Sequence, residues 1–321
     1  GNWEHQNILR ILQPVGMFCK TVQMVEEVFE IHINECLDKL NKERNKRIRP
    51  ALDDKIILSW NALMLTAIAK ASAAFGNREF RELAIANYNF IKNQFYIRND
   101  GAEMYHTYKN GIAKVPAFLD DYAYFIQACI GMYELELDVS YLETAKQSCL
   151  FVTEFFSDEE GVYFYYTGKN QNDILVRKKE IYDGATPSPN AIMAENLHKL
   201  GIIFAETDWQ NRSIQMIEGV VNQVTKYPGS FAIWGALLMQ LSIGIKQIAV
   251  IGAEYKTRCS EIARLYMPGV IMMGADQENQ DYPLIADKPV KQGTYIYLCK
   301  NYACSAPFEM VNDLKKAIDM A

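Results

Sequence analysis

The feature that most constrains this chain is a helical apolar period that returns in pairs of segments from about Thr21 to Ile245. In Phe118–Asp138 the residues Phe118, Tyr122, Phe125, Cys129 and Tyr133 recur at spacings of three and four, which is one face of an α-helix. Trp60, Leu63, Met64, Ala67 and Ile68 make a second such stripe, and Met193, Leu197, Leu200 and Phe204 a third. Ser59, Asn77, Ser140 and Ser188 stand where helices should begin, and Ser140-Tyr141-Leu142-Glu143 has the spacing of a capping box. The pattern predicts helix pairs over 59–75 with 77–95, 118–138 with 140–156, and 188–206 with 209–226, then a last helix over 229–244. First members of successive pairs are roughly 60 to 70 residues apart, with short extended stretches such as Glu103–Tyr108 and Val162–Tyr166 between them. A hairpin of helices cannot bury its apolar face alone, so repeated hairpins stack into a ring or arc, first helices inside and second helices outside.

After Lys246 the period changes. Gln247–Gly252, Val270–Gly274 and Thr294–Cys299 read as short buried strands, and 255–266 and 308–319 as helices. The expected class is therefore mainly α: a partial (α/α)6 toroid over 1–245 and a small α/β subdomain over 246–321. Ile251-Gly252-Ala253 lacks the glycine spacing of a dinucleotide fingerprint.

A net charge of −6 with no basic stripe argues against a nucleic-acid partner. The basic run Lys42–Arg49 contains Glu43 and reads as a solvated helix end. No stretch of about 18 apolar residues exists to span a membrane, and Gly1–His5 does not open a signal peptide. Seven scattered cysteines suit free thiols in a reducing cytoplasm, and Cys299 and Cys304 are expected to be free. Without a CxxC or a His/Cys cluster, neither structural zinc nor another cofactor is expected.

Each expected inner helix opens near acids: Asp53 and Asp54 before Trp60, Asp120 and Asp121 in the next pair, and Asp183 before Ser188. One reading is complementation of helix N-termini. The sharper reading is a shared rim. There Asp53, Asp54, Asp120 and Asp121 are the candidate catalytic carboxylates, with Asp120 or Asp121 favoured. Trp60, Asn61, Tyr122, Tyr182, Asp183, Ser188 and Asn190 are the candidate substrate-binding groups. Carboxylates bond sugar hydroxyls or move protons, and flat aromatic rings pack on the apolar faces of sugars. Trp60 and Tyr122 also fit buried stripes, and Asp53 and Asp54 also fit an ion network with Arg49 and Lys55. His106 is a lone histidine and the weaker base candidate, while His198 reads as packed or solvent-facing.

Arg49–Lys55 followed by Ser59–Met64 resembles a signature of the thioredoxin-domain family typified by spermatogenesis-associated protein and bacterial YyaL. Gly1–Glu4 with Asn7–Leu9, Phe118–Ala123, Tyr182–Ser188 and the tail Tyr297–Pro307 match it in order. Ser188-Pro189-Asn190 departs from the Ser-Gly-Asn expected there. The resemblance implies a six-hairpin toroid similar to N-acylglucosamine 2-epimerases and six-hairpin glycosidases, and a small carbohydrate ligand. It also implies that a thioredoxin-like domain and early hairpins are absent from this chain. The ring is then expected to be open, with that domain or a second copy of the chain covering the open side. The competing expectation is a non-catalytic scaffold or binding module.

Overall fold

A computed structural model describes residues 1–97, 102–171, 174–290, 293–300 and 303–319; Asn301 and Tyr302 of the tail motif lie outside them. Contacts divide the chain into two compact units, Gly1–Asp54 and Lys55–Ala321. In the first, α1 (Val15–Val22) meets α2 (Glu26–Arg44) through a left-handed Gln23, with the rings of Phe18 and Phe29 5.2 Å apart. The basic run trails off the end of α2, where Lys46 and Glu43 form an exposed pair.

The second unit begins with β1 (Ile56–Ile57), α3 (Leu58–Phe75) and α4 (Arg78–Gln94), followed by β2 (Tyr105–Lys109) and β3 (Ile112–Pro116). Next come α5 (Leu119–Glu136), α6 (Ser140–Phe156), α7 (Pro189–Ile203), α8 (Thr207–Glu218), α9 (Val221–Lys226) and α10 (Ala232–Ile243). Among the first helices of the hairpins, α5 packs against both α3 and α7, and α10 packs on α7. Helices α4, α6 and α8 each back onto their own inner partner. The molecule is thus mainly helical, built from hairpins arranged as the period implied. Helix α5 is central, and nearly every side chain from Asp121 to Tyr133 is buried.

Three local expectations change. Helix α3 is apolar almost all round, so period alone could not choose its face. Leu58, Ala62, Leu65 and Ala69 enter the core, while Trp60 and Met64 are exposed. Ser140 does not cap α6: it is already the first helical residue, and its N–H donates to Asp138 Oδ1 at 2.9 Å. Glu143 instead receives the Tyr282 hydroxyl. The segment 209–226 splits because the Tyr163 hydroxyl donates to the Met216 carbonyl at 2.8 Å, and the Val220 N–H turns to Ile217. Asn77 and Ser188 do cap, accepting from Phe80 N–H and Ala191 N–H. Pro189 sits at the first position of α7, where its fixed φ and missing N–H cost nothing.

The remaining elements are β4 (Lys246–Gly252), α11 (Tyr255–Ala263), β5 (Val270–Ala275), β6 (Thr294–Lys300), β7 (Ala303–Cys304) and α12 (Val311–Asp319). The sheet order is β5-β4-β6-β7, with β4 and β5 parallel around α11 and the other pairs antiparallel. Strand alternation serves two cores. Ala249, Ile251, Ile271 and Met273 pack on Tyr133, Leu142, Ile202 and Ile203 of the helical layer. Ile248, Val250, Met272 and Ile296 face Cys259, Ile262 and Leu314 of α11 and α12.

The expectation of free thiols fails at one place. Cys299 and Cys304 are directly opposed in the β6–β7 register and form a disulfide. Sequence spacing alone did not reveal that pairing; the other five cysteines are free. Among the described residues, no helix is long and apolar enough to cross a membrane.

Candidate functional site

The N-termini of the inner helices are tied together by side chains. Asp121, the third residue of α5, is fully buried. Its Oδ1 accepts from the Ser59 N–H in the first turn of α3 at 2.8 Å, and its Oδ2 accepts from the Phe118 N–H at 2.9 Å. Asp183 repeats the arrangement. Its Oδ1 accepts at 2.8 Å from the N–H of Ser188, the N-cap residue of α7, and its Oδ2 accepts from the Ile233 N–H in the first turn of α10 at 3.0 Å. Each carboxylate therefore satisfies orphan donors of two helices at their positive ends. Between them the Tyr124 hydroxyl, from α5, donates to the Pro187 carbonyl just before α7.

The second oxygen of Asp121 also meets His106 Nδ1 at 2.8 Å. Asp121 already accepts two backbone N–H bonds, so it acts as an acceptor and the proton lies on Nδ1 of the ring. Nε2 is left for other work. Burial pushes His106 down, but the hydrogen bond and charge of Asp121 outweigh it and hold the imidazole above its ordinary value. The ring packs against Phe118, which also stacks on Tyr166, at 4.9 and 5.1 Å.

Asp120 is placed differently. One oxygen accepts from the Asp121 N–H at 3.0 Å, and the carboxyl is bonded by the Tyr166 hydroxyl. Burial and the neighbouring Asp121 charge raise it to about 6, against the pull of His106 and Tyr166. Asp120 and His106 are thus two titratable groups, both raised, that influence each other at the N-terminal end of α5.

The other expected site residues separate into two groups. Trp60 and Tyr182 are 63% and 61% exposed and can offer ring faces, though Trp60 shares its exposed helix with Met64 and Phe75. Asn61 is half-buried and donates to the Ile57 carbonyl. Tyr122, Ser188 and Asn190, in contrast, are buried and engaged with other parts of the chain. The Tyr122 hydroxyl accepts from Met104 N–H and its ring packs on Phe151 and Phe156, so it anchors the strand that carries His106. Asn190 accepts from Phe164 N–H and donates to the Phe164 and Glu180 carbonyls, fixing the segment that carries Tyr166. The Ser188 hydroxyl donates to the Glu180 carbonyl. Asp53 and Asp54 belong to the first unit, and the other acids to the second.

His106 is the residue that sequence reasoning undervalued. Its signal was Asn110-Gly111, both at positive φ (51° and 79°), the signature of a tight hairpin joining β2 and β3. That hairpin lays His106 across the start of α5. His198 is buried in α7, and burial lowers it to about 4. Among the described residues, no cluster of three or more His, Cys, Asp or Glu could hold a metal.

No family model matches the chain. It is 24% identical to spermatogenesis-associated protein 20 of Rattus norvegicus and of Homo sapiens, over 99% of this chain and 43% of each relative. An uncharacterized protein of Caenorhabditis elegans is 23% identical over 98% of this chain and 45% of its own length. The chain thus spans less than half the length of the curated relatives it matches, and the similarity agrees with the resemblance its motifs carry. Among solved structures, a GH76 α-mannanase of Bacteroides thetaiotaomicron is similar with a TM-score of 0.43 and 13% identity, over 54% of this chain and 47% of that one. A cellobiose 2-epimerase from Bacillus thermoamylovorans gives 0.43 and 13%, over 51% and 44%.

Proposed function

We propose that a chain with these relatives and this rim acts on a small carbohydrate by moving a proton beside a carbonyl, as a sugar epimerase or isomerase does. The observation that carries this reading is the unequal state of two adjacent carboxylates. Both oxygens of Asp121 are spent on backbone amides and His106, while Asp120 has one backbone bond and one hydroxyl; burial raises both acids, Asp120 to about 6. Hydrolysis of a glycosidic bond usually divides its work between two available carboxylates, which α5 does not offer.

With Asp120 near 6, its carboxylate is the main form at neutral pH, and the neighbouring acids favour the protonated form of His106. The carboxylate of Asp120 takes the proton from the carbon next to the substrate carbonyl. The Nε2–H of His106 bonds the carbonyl oxygen as negative charge develops there. Asp120 returns the proton to the same carbon after the intermediate has turned its other face to it, giving an epimer, or to the former carbonyl carbon while His106 Nε2 passes its proton to one oxygen and takes the hydroxyl proton from the other, giving an isomer. Trp60 and Tyr182 supply ring faces and Asn61 an amide at the same helix ends. A cytoplasmic location is part of this reading: the unpaired thiols of Cys129, Cys149 and Cys259 speak for it, and the Cys299–Cys304 disulfide speaks against it.

A second reading, a non-catalytic binding module, is favoured by the full engagement of Asp121 and Asp183 in backbone bonds. Incubation with a panel of reducing sugars in D2O, followed by proton NMR at the carbon beside the carbonyl, separates the two. Deuterium wash-in that Asp120→Asn and His106→Gln both abolish is the expected result. Wash-in that survives Asp120→Asn removes Asp120 as the base, and saturable sugar binding without wash-in favours the module.

A further inference from the structure

The far halves of α3, α5 and α7 enclose a second concavity. Ten residues of α3, about 15 Å of helix, separate Trp60 at the acid rim from Lys70 in this cleft. Its volume is ≈ 490 Å³, and the segment 262–270 forms its other wall. That is the size of small-molecule sites, roughly 300–1,000 Å³. Small residues keep it open: Ala69, Ala73 and Ala74 on α3 and Gly131 on α5.

Four charges from the inner helices face it. Glu195 and Lys199, one turn apart on α7, pair at 2.7 Å, and Glu195 also accepts from Gln127 Nε2 at 3.1 Å. Burial pushes Glu195 up, but Lys199 and Lys70 hold it below the usual carboxylate range. That pair is neutral and fixed. Lys70 on α3 and Glu134 on α5 line the same cleft, Lys70 acting at longer range on Glu195 and Glu134 on Lys199, and among the described residues neither makes an ion pair within 4.0 Å. A cation and an anion on neighbouring helices, facing one cleft without being paired, suit a ligand that carries both signs. A simple anion would meet Glu134, a simple cation would meet Lys70, and an uncharged ligand would cover both charges without pairing either.

We propose that this cleft binds a small zwitterion of the amino-acid type, its carboxylate on Lys70 and its ammonium on Glu134, against the Glu195–Lys199 pair. Lys70 is exposed, so replacing it leaves the core intact. Calorimetric titration with glycine, L-alanine and L-glutamate, with acetate and ethylamine as one-charge controls, tests the assignment. One of the amino acids should bind saturably, and Lys70→Met and Glu134→Gln should each weaken it by about tenfold or more. Both variants should melt within about two degrees of the parent when unliganded. The proposal is overturned if no amino acid binds the parent, if acetate or ethylamine binds equally well, or if affinity survives both substitutions.

Discussion

Asp183 does for α7 and α10 what Asp121 does for α5 and α3: one oxygen closes the N-terminus of its own hairpin, and the other reaches the first turn of a neighbouring inner helix. Two such carboxylates, 62 positions apart in the chain, are the chemical repeat behind the acids that precede each inner helix. Much of the acidity at these helix ends therefore builds the rim, whereas Asp120 bonds the Asp121 N–H and the Tyr166 hydroxyl.

The first prediction concerns that clamp. Asp183→Ala strands the Ser188 and Ile233 N–H groups at a partly buried site and should cost about 2–4 kcal/mol in urea unfolding at pH 7. Asp183→Asn has a single acceptor oxygen and turns an NH2 toward one amide, so it should recover less than half of that loss. An asparagine variant as stable as the parent would show that the second bond contributes nothing.

A second prediction uses the sign of the Asp120 shift. Its folded value of about 6 lies above the unfolded carboxyl value of 3.8, so folding favours the protonated form. The cost is absent below pH 3.8, grows between pH 3.8 and about 6, and is constant above that. Asp120→Asn, which cannot ionise, should therefore be the more stable protein at pH 7.5, by up to about 3 kcal/mol at 1.4 kcal/mol per unit. The advantage should fade toward pH 4. Melting curves across pH 4–8 check it, and a uniform offset with no pH dependence would contradict it.

The third concerns the break between α8 and α9. A Cβ at Gly219 would lie 2.3 Å from the Tyr163 hydroxyl that bonds the Met216 carbonyl. Gly219→Ala should cost about 1–3 kcal/mol by displacing that tyrosine. In a Tyr163→Phe background the next atom lies at 3.2 Å, so the same substitution should cost visibly less. Additive effects would mean the two residues are not coupled.

How far the sequence could be read depended on whether a decision was local. The hairpins were legible because the period of three and four is set by residues within one helix. The face of α3 was not, because a helix apolar on all sides carries no phase. Asp120 and Asp121 could be picked out as a pair but not told apart. They point about 100° from each other on α5, and only Ser59, 62 residues earlier, decides which one is buried. Tyr122, Ser188 and Asn190 have the chemistry of ligand-binding groups, yet backbone partners distant in sequence claim them. The Cys299–Cys304 link likewise follows from strand register, which no count of cysteines contains.

The sheet that roofs α5, α6 and α7 has a consequence for synthesis. Tyr133, Leu142, Ile202 and Ile203 find their cover on β4 and β5, which leave the ribosome after every helix they protect. A nascent chain that has emerged only as far as α10 carries that apolar floor uncovered. A chaperone with affinity for exposed aliphatic surface has its longest opportunity there, and release comes when β4 closes over the helices.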